Sequence, residues 1–243
     1  MIKKWVIPDI HGCFRTLETL VENHIVPNKN DLMVFLGDYI DRGPDSKKVI
    51  DYIMNLQSNE YNIVALKGNH EDYCVKAYNA DKNKKSFLGL KSKTKIQKEW
   101  EMHGGKQTLV SFNAESPGDI PENYIRWMDE LPYYYELDNY IIVHAGLNFK
   151  EDDPYSDKHS MLWIRDFQVE EHKINNKKII HGHVPVNLEF IDLAINNNDY
   201  KFIDLDNGVY FDDRVGYGNL IALELTSMKY SIQSLMDDVR YGK

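Results

Sequence analysis

The stretch Leu32-Met33-Val34-Phe35-Leu36-Gly37-Asp38-Tyr39-Ile40-Asp41-Arg42-Gly43 runs from five apolar residues through a glycine into two carboxylates. An apolar run that short, with no helical period and a glycine at its end, predicts a buried strand whose carboxyl end delivers polar side chains. The same pattern occurs on either side of it. Trp5-Val6-Ile7 leads into Asp9-Ile10-His11-Gly12, and Asn62-Ile63-Val64-Ala65-Leu66 leads into Gly68-Asn69-His70-Glu71. Between these runs Phe14, Leu17, Leu20, Val21 and His24 recur at helical spacing. After Pro44, Val49, Ile50, Ile53, Met54 and Leu56 do the same, and a third helix is predicted from about Glu71 to Tyr78. Strands alternating with helices in this way read as βαβαβ, with a largely parallel sheet.

Further along, residues 79–131 read as a helical insert. Lys82, Lys84, Lys85, Lys91, Lys93, Lys95 and Lys98 form a basic stretch with no acid among them, either a solvated helix face or a patch that steers an anionic substrate. A helix is predicted to stop at Trp100-Glu101-Met102-His103-Gly104-Gly105-Lys106, and another covers Glu122 to Glu130. Strand patterns return at Tyr140–Val143, Lys178–Ile180, Lys201–Ile203, Val209–Phe211, Leu220–Leu225 and Tyr230–Leu235. Tyr133-Tyr134-Tyr135 reads as strand and core. With no internal repeat and no low-complexity linker, residues 1–243 read as a single α/β domain.

Lys plus Arg is 29 and Asp plus Glu is 38, a net charge of −9, which argues against nucleic acid or an anionic membrane as a general partner. No apolar run approaches the roughly 20 residues of a membrane span, and Met1-Ile2-Lys3-Lys4-Trp5 does not resemble a signal peptide. Two cysteines, Cys13 and Cys74, fit a reducing compartment, so a cytoplasmic location is expected.

Five strand ends carry groups suited to metals: Asp9-X-His11, Asp38-X-X-Asp41, Asn69-His70, His144-Ala145-Gly146 and His181-Gly182-His183. Any one of these alone is an ordinary turn, cap or buried histidine. All five at the same edge, where open α/β sheets bind ligands, point to a metal-assisted reaction centre. His24, His103, His159 and His172 fall outside the pattern and read as structural or solvated.

These motifs, with Gly37-Asp38-X-X-Asp41-Arg42-Gly43 and Gly68-Asn69-His70-Glu71 at their centre, resemble the signature of calcineurin-like metallophosphoesterases, and within them the phosphoprotein phosphatase branch. Gly104-Gly105-X-X-Thr108-Leu109-X-Ser111-Phe112 and Leu162-Trp163-X-Arg165 resemble its bacterial members. The resemblance implies a four-layer αββα sandwich with the site at the carboxyl ends of the strands. It implies two divalent transition-metal ions, Mn²⁺ first and Fe²⁺ or Zn²⁺ next, whose bridging hydroxide attacks phosphorus. Asp9, His11 and Asp38 would hold one ion; Asp38, Asn69, His144 and His183 would hold the other. His70 is then the general acid and Asp41 its orienting carboxylate, although a helix-capping role before Pro44 is the plainer reading of Asp41. Arg42 and Arg165 would clamp the phosphate, the plainer reading of Arg165 being a surface ion pair with Asp166. His181 is expected behind the ligands, and Tyr39 is expected to pack.

The implied activity is that of a serine/threonine protein phosphatase acting on a phosphorylated protein or small phosphoester, with symmetrical dinucleoside tetraphosphate hydrolysis as the alternative. The sequence departs from the family pattern at Pro8, where glycine is usual, and at Asp206-Asn207-Gly208, where the middle residue is usually threonine.

Overall fold

The computed structural model of the chain describes residues 2–84 and 92–240. Its strands are β1 (Lys4–Ile7), β2 (Leu32–Phe35), β3 (Asn62–Ala65), β4 (Tyr134–Glu136), β5 (Tyr140–Val143), β6 (Lys178–His181), β7 (Phe202–Asp204), β8 (Asn219–Glu224) and β9 (Lys229–Ser234). They form two sheets, ordered β3-β2-β1-β8-β9 and β4-β5-β6-β7. β1, β2 and β3 are parallel, and β8 and β9 add antiparallel strands beyond β1. In the second sheet β5, β6 and β7 are parallel and β4 is antiparallel. The parallel β1, β2 and β3 are the βαβαβ unit read from the periodicity; β8 and β9 make that sheet mixed, and a second mixed sheet joins it.

Side chains alternate across a strand, and here both faces are apolar. Trp5, Ile7, Met33 and Phe35 point to the helices, whereas Val6, Leu32 and Val34 point to the other sheet. Ile142 and Ile180 meet them from the second sheet, while Ile141, Val143 and Ile179 face outward onto Leu147, Phe149 and Met161. Helices α1 (Phe14–Thr19), α2 (Ser46–Ser58), α3 (Asn69–Asn83), α4 (Lys95–Trp100), α5 (Lys106–Ser111) and α6 (Glu122–Glu130) pack on the first sheet. Helix α7 (Lys158–Trp163) covers the second sheet, and Ile191 and Ile195 of α8 (Leu188–Asn196) extend the layer between the sheets. Helices, sheet, sheet and helix make the expected four-layer α/β sandwich. No helix among the described residues is long and apolar enough to cross a membrane.

Local readings need three corrections. The glycines after Trp100 kink the helix and do not end it: Gly104 takes φ +108° inside a wide turn, and α5 continues the path. Val209–Phe211 is a turn, because Gly208 at φ +61° diverts the chain after β7. Tyr134 lies in a strand as expected, yet it is exposed. Lys84 pairs with Asp81, Lys93 with Glu101 at 2.6 Å and Lys95 with Glu99 at 3.6 Å, which neutralises much of the basic stretch locally. Lys85 and Lys91 lie outside the described residues.

The helix that follows the first motif is capped from the far end of the chain. Cys13, at the N-cap of α1, makes no side-chain capping bond, and the buried Asp237 takes over. Its carboxylate accepts from the Arg15 and Thr16 N–H groups, both at 3.0 Å, and from the Thr16 hydroxyl at 2.7 Å. An acid serving otherwise unpaired N–H groups at a helix start is worth about 1–2 kcal/mol. Asp237→Ala should lower the unfolding free energy in urea by about that amount. An unchanged midpoint and slope would mean that the tail does not cap α1.

Candidate metal and phosphate centre

The carboxyl ends of β1, β2 and β3 are tied together before any functional side chain is considered. The Ile10 and His11 N–H groups donate to the Asp38 carbonyl at 3.1 and 2.8 Å, and Gly12 N–H donates to Tyr39 O at 2.9 Å. Glu71, fully buried, binds the same loop from the first turn of α3. Its carboxylate accepts from the N–H groups of Asp38 (2.9 Å), Tyr39 (2.8 Å) and Gly68 (3.0 Å). Several non-glycine residues here adopt left-handed backbone: His11, Asp38, Asp41, Arg42 and His183. Such conformations are costly and persist where the surroundings impose them. The second sheet is locked on through Gly182, where a β-carbon would come within 2.3 Å of Asp9 Oδ1.

Asp38 is the point of convergence. The Nε2 atoms of His144, His11 and His70 lie 3.5, 3.6 and 3.8 Å from its carboxylate oxygens. Two groups of metal-competent atoms share it, His11–Asp38–His70 and Asp38–His144–His183, each with its atoms within 4.8 Å of one another. Asp9 adjoins the first group, 4.0 Å from His11 Nε2. Asn69 adjoins the second, its Oδ1 lying 2.9 Å from His144 Nε2 and 3.0 Å from His183 Nδ1. The remaining ring nitrogens of His11 and His144 face the carbonyls of Ile40 and Leu36, both at 3.1 Å. A backbone carbonyl on the far nitrogen is the support that metal-binding histidines usually have.

The electrostatics of the cluster fit a cation. Burial pushes His11, His144 and His183 below the ordinary imidazole range, His183 to about 3, towards the neutral form that can ligate, while the Asp38 charge pulls them the other way. Burial opposes ionisation of Asp38, but the surrounding rings, His144 first, outweigh it and hold its carboxyl low. Burial also raises Asp9, with the Asp206 and Asp38 charges adding to it, and burial lifts Asp206 to about 7. Among the described residues the ion-pair partners of Asp9 and Asp38 are histidines. His183 Nε2 is buried without a hydrogen-bond partner. Crowded buried carboxylates facing neutral imidazoles are the environment that a divalent ion relieves. Oxygen and imidazole donors without thiolate suit Mn²⁺, Fe²⁺ or Zn²⁺.

Beside this centre His70 Nδ1 lies 2.6 Å from Asp41 Oδ2, both side chains being buried. Burial works against the imidazolium of His70, yet the Asp38 and Asp41 carboxylates raise its pKa above the ordinary value. Arg42 Nη2 lies 3.4 Å from His70 Nε2, and its guanidinium rests on the ring of Tyr210 at 4.2 Å. Tyr210 also meets His11 edge-on, with ring centroids 5.0 Å apart. Arg165 follows α7, is exposed and makes no ion pair with Asp166; its charge is felt at His183 and His103.

The structure thus gathers Asp9, His11, Asp38, Asn69, His70, His144, His183, Asp41 and Arg42 at one place, with Arg165 at the rim. One expectation for the neighbouring histidines needs correction. His181 is not behind the ligands: its ring lies between Phe167 and Phe202, at 5.3 and 5.4 Å, on the outer face of the second sheet. His103 is exposed, as expected, and the kink at Gly104 brings it to the rim beside Arg42 and Tyr73. Tyr210 was hidden by the false strand at Val209–Phe211. The departure at Asn207 has a local use: its side-chain amide donates to Val186 O at 2.8 Å and Gly216 O at 2.9 Å, and its Oδ1 accepts from Asn219. Tyr39 packs as expected, buried with its hydroxyl on Leu66 O.

The comparisons with known proteins agree with this geometry. The chain is 26% identical over 264 residues to the asymmetrical bis(5'-nucleosyl)-tetraphosphatase PrpE of Bacillus mycoides, covering 97% of each chain. It is 30% identical over 174 residues to serine/threonine-protein phosphatase 1 of Salmonella typhimurium, covering 67% of this chain and 68% of that one. Among solved structures, a protein serine/threonine phosphatase from Saccharomyces cerevisiae superposes with a TM-score of 0.59 at 16% identity, covering 98% of this chain and 81% of the other. The profile of one family matches residues 2–213, and by that match the chain belongs to the calcineurin-like phosphoesterases.

Proposed function

We propose that the chain is a metal-dependent phosphomonoesterase of the serine/threonine phosphatase type, with Asp9, His11 and Asp38 holding one divalent ion and Asp38, Asn69, His144 and His183 a second, Mn²⁺ being the first candidate. The observation that carries this reading is the sharing of Asp38 between two sets of donors, with the His70–Asp41 pair immediately beside them. Bound as a pair, such ions polarise a phosphoryl oxygen and lower the pKa of water towards 7. The chain's own groups do the rest. Arg42, its guanidinium resting over the Tyr210 ring, and Arg165 at the rim match phosphate oxygens as bidentate donors. Asp41 keeps the Nδ1 proton of His70, which leaves Nε2 to deliver a proton to the departing oxygen. In this reading the helices within residues 79–131 belong to the same domain as the two sheets.

The His70–Asp41 pair favours an ester over an anhydride. A serine or threonine alkoxide is strongly basic and needs a proton as it leaves, whereas a phosphate leaving group needs far less help. Dinucleoside polyphosphate hydrolysis is the second reading, favoured by the relative that matches over 97% of both chains. That relative carries the asymmetrical name, whereas the alternative implied by the family resemblance is symmetrical cleavage. A panel of an aryl phosphate, a phosphoserine peptide and diadenosine tetraphosphate, each with added Mn²⁺ and with chelator, separates the readings. Hydrolysis of the first two, abolished by chelation, is expected. Turnover confined to the dinucleotide would replace the first reading by the second.

Changing His70 to Asn should cut kcat on the phosphopeptide by roughly 10²–10⁴ with metal still bound, and by less on an aryl phosphate with an acidic phenol. Equal losses on both would remove His70 from the acid role. The two neighbouring histidines should also part company. His183→Ala is expected to lower the bound-metal content and nearly abolish turnover. His181→Ala should retain the full metal content and cost thermal stability, because it empties an aromatic pocket. Metal analysis of the purified variants with the reverse outcome would overturn the assignment of His183.

A further inference from the structure

Trp100, Gly104, Gly105 and Thr108 recur at spacings that share one helix face, and that face meets the loop carrying Asp41 and Arg42. Trp100 and Thr108 are fully buried, as is Asp41. Trp100 Nε1 donates to Asp41 Oδ2 at 2.8 Å, the oxygen that also takes His70 Nδ1. The Thr108 hydroxyl donates to the other oxygen, Oδ1, at 2.5 Å and accepts from the Asp41 N–H at 2.9 Å. Ser46 Oγ completes the set, 3.0 Å from Thr108 Oγ1 and accepting from the Asp41 N–H at 3.0 Å. The glycines permit the approach. A β-carbon at Gly105 would fall 2.4 Å from the Trp100 ring, and one at Gly104 would fall 2.6 Å from the Arg42 nitrogen. The face thus grips both oxygens of a carboxylate whose own backbone is in the left-handed region, at φ +72°.

We propose that Trp100 and Thr108 are positioning residues for proton delivery: by fixing the plane of the Asp41 carboxylate they fix the orientation of the His70 ring. The proposal rests on the reading of His70 as proton donor. A carboxylate held by one hydrogen bond can rotate and carry its partner ring with it; held at both oxygens in a buried site, it cannot. The helical segment at residues 95–111 thereby contributes to the reaction without touching the phosphate.

The test uses the metal-loaded enzyme and a series of aryl phosphates running from acidic nitrophenols to phenol. Trp100→Phe keeps a ring and removes the N–H; Thr108→Val keeps the shape and removes the hydroxyl; Thr108→Ser restores it. Trp100→Phe and Thr108→Val should each lower kcat roughly ten-fold on phenyl phosphate and little on the most acidic phenol. KM and metal content should stay near wild type, and Thr108→Ser should recover most of the loss. Placed in a His70→Asn background, Trp100→Phe should add almost nothing. A loss uniform across leaving groups, or one fully additive with His70→Asn, overturns the proposal while leaving His70 as the donor. A His70→Asn variant that shows no leaving-group dependence overturns the donor reading, and this proposal with it.

Discussion

A buried carboxylate that many groups approach at once is expensive to fold, and Asp38 is such a group. Three imidazoles face its oxygens within 3.8 Å, its Oδ1 accepts from the His70 N–H, and its own N–H is bound by Glu71. Burying an ion of this kind without compensation costs several kcal/mol, more than most single contacts in a protein return. With Asp9 and Asp206 also buried close by, the centre crowds carboxyl groups whose ionisation burial opposes against rings whose protonation burial opposes. The rest of the architecture answers this one constraint. Two sheets place their strand ends at the same edge, glycines let the loops touch, and His11, Asp38, Asp41, Arg42 and His183 accept left-handed backbone to face the centre.

The division of labour between layers follows from the same constraint. Helix-facing residues of the first sheet bind it to six helices, and two of these, through Trp100 of α4 and Thr108 of α5, reach back to Asp41. The second sheet supplies His144 and His183, whose approach to Asn69 closes the centre from the opposite side. Apolar side chains between the sheets hold these halves in register, so a change in that layer would reach the site through distances between histidine and carboxylate. The core and the centre are therefore one mechanical unit.

Much of this is legible in the sequence. β5 matches its predicted run from Tyr140 to Val143, and β1, β2, β3 and β6 differ from theirs by a residue at an end, because apolar runs bounded by glycine or polar residues leave little choice of register. The gathered residues are legible as well, since strand ends are where side chains emerge together. What escapes the sequence depends on turns and on contacts across the fold. Val209-Tyr210-Phe211 reads as a strand from composition, yet the left-handed Gly208 makes it a turn that slides Tyr210 beneath Arg42. His181 and His183 look equivalent in a two-residue period. They part because His183 lies beyond the end of β6 at φ +74°, with its ring turned to Asn69, whereas His181 remains in the strand facing outward. His103 is solvated as read, but its place at the rim is not legible, because it depends on a glycine kink read as a helix stop. The segment Trp100–Thr108 is visible as a motif, but nothing in one sequence tells that its partner is Asp41.

The central claim is that Asp38 joins two metal positions into one centre. Equilibrium binding of Mn²⁺ to the purified wild-type chain and to Asp38→Asn, His11→Asn and His144→Asn tests it directly. The account predicts that each histidine variant loses one of two ions while Asp38→Asn weakens both together. Loss of a single ion in Asp38→Asn, with the other bound at wild-type affinity, would contradict it.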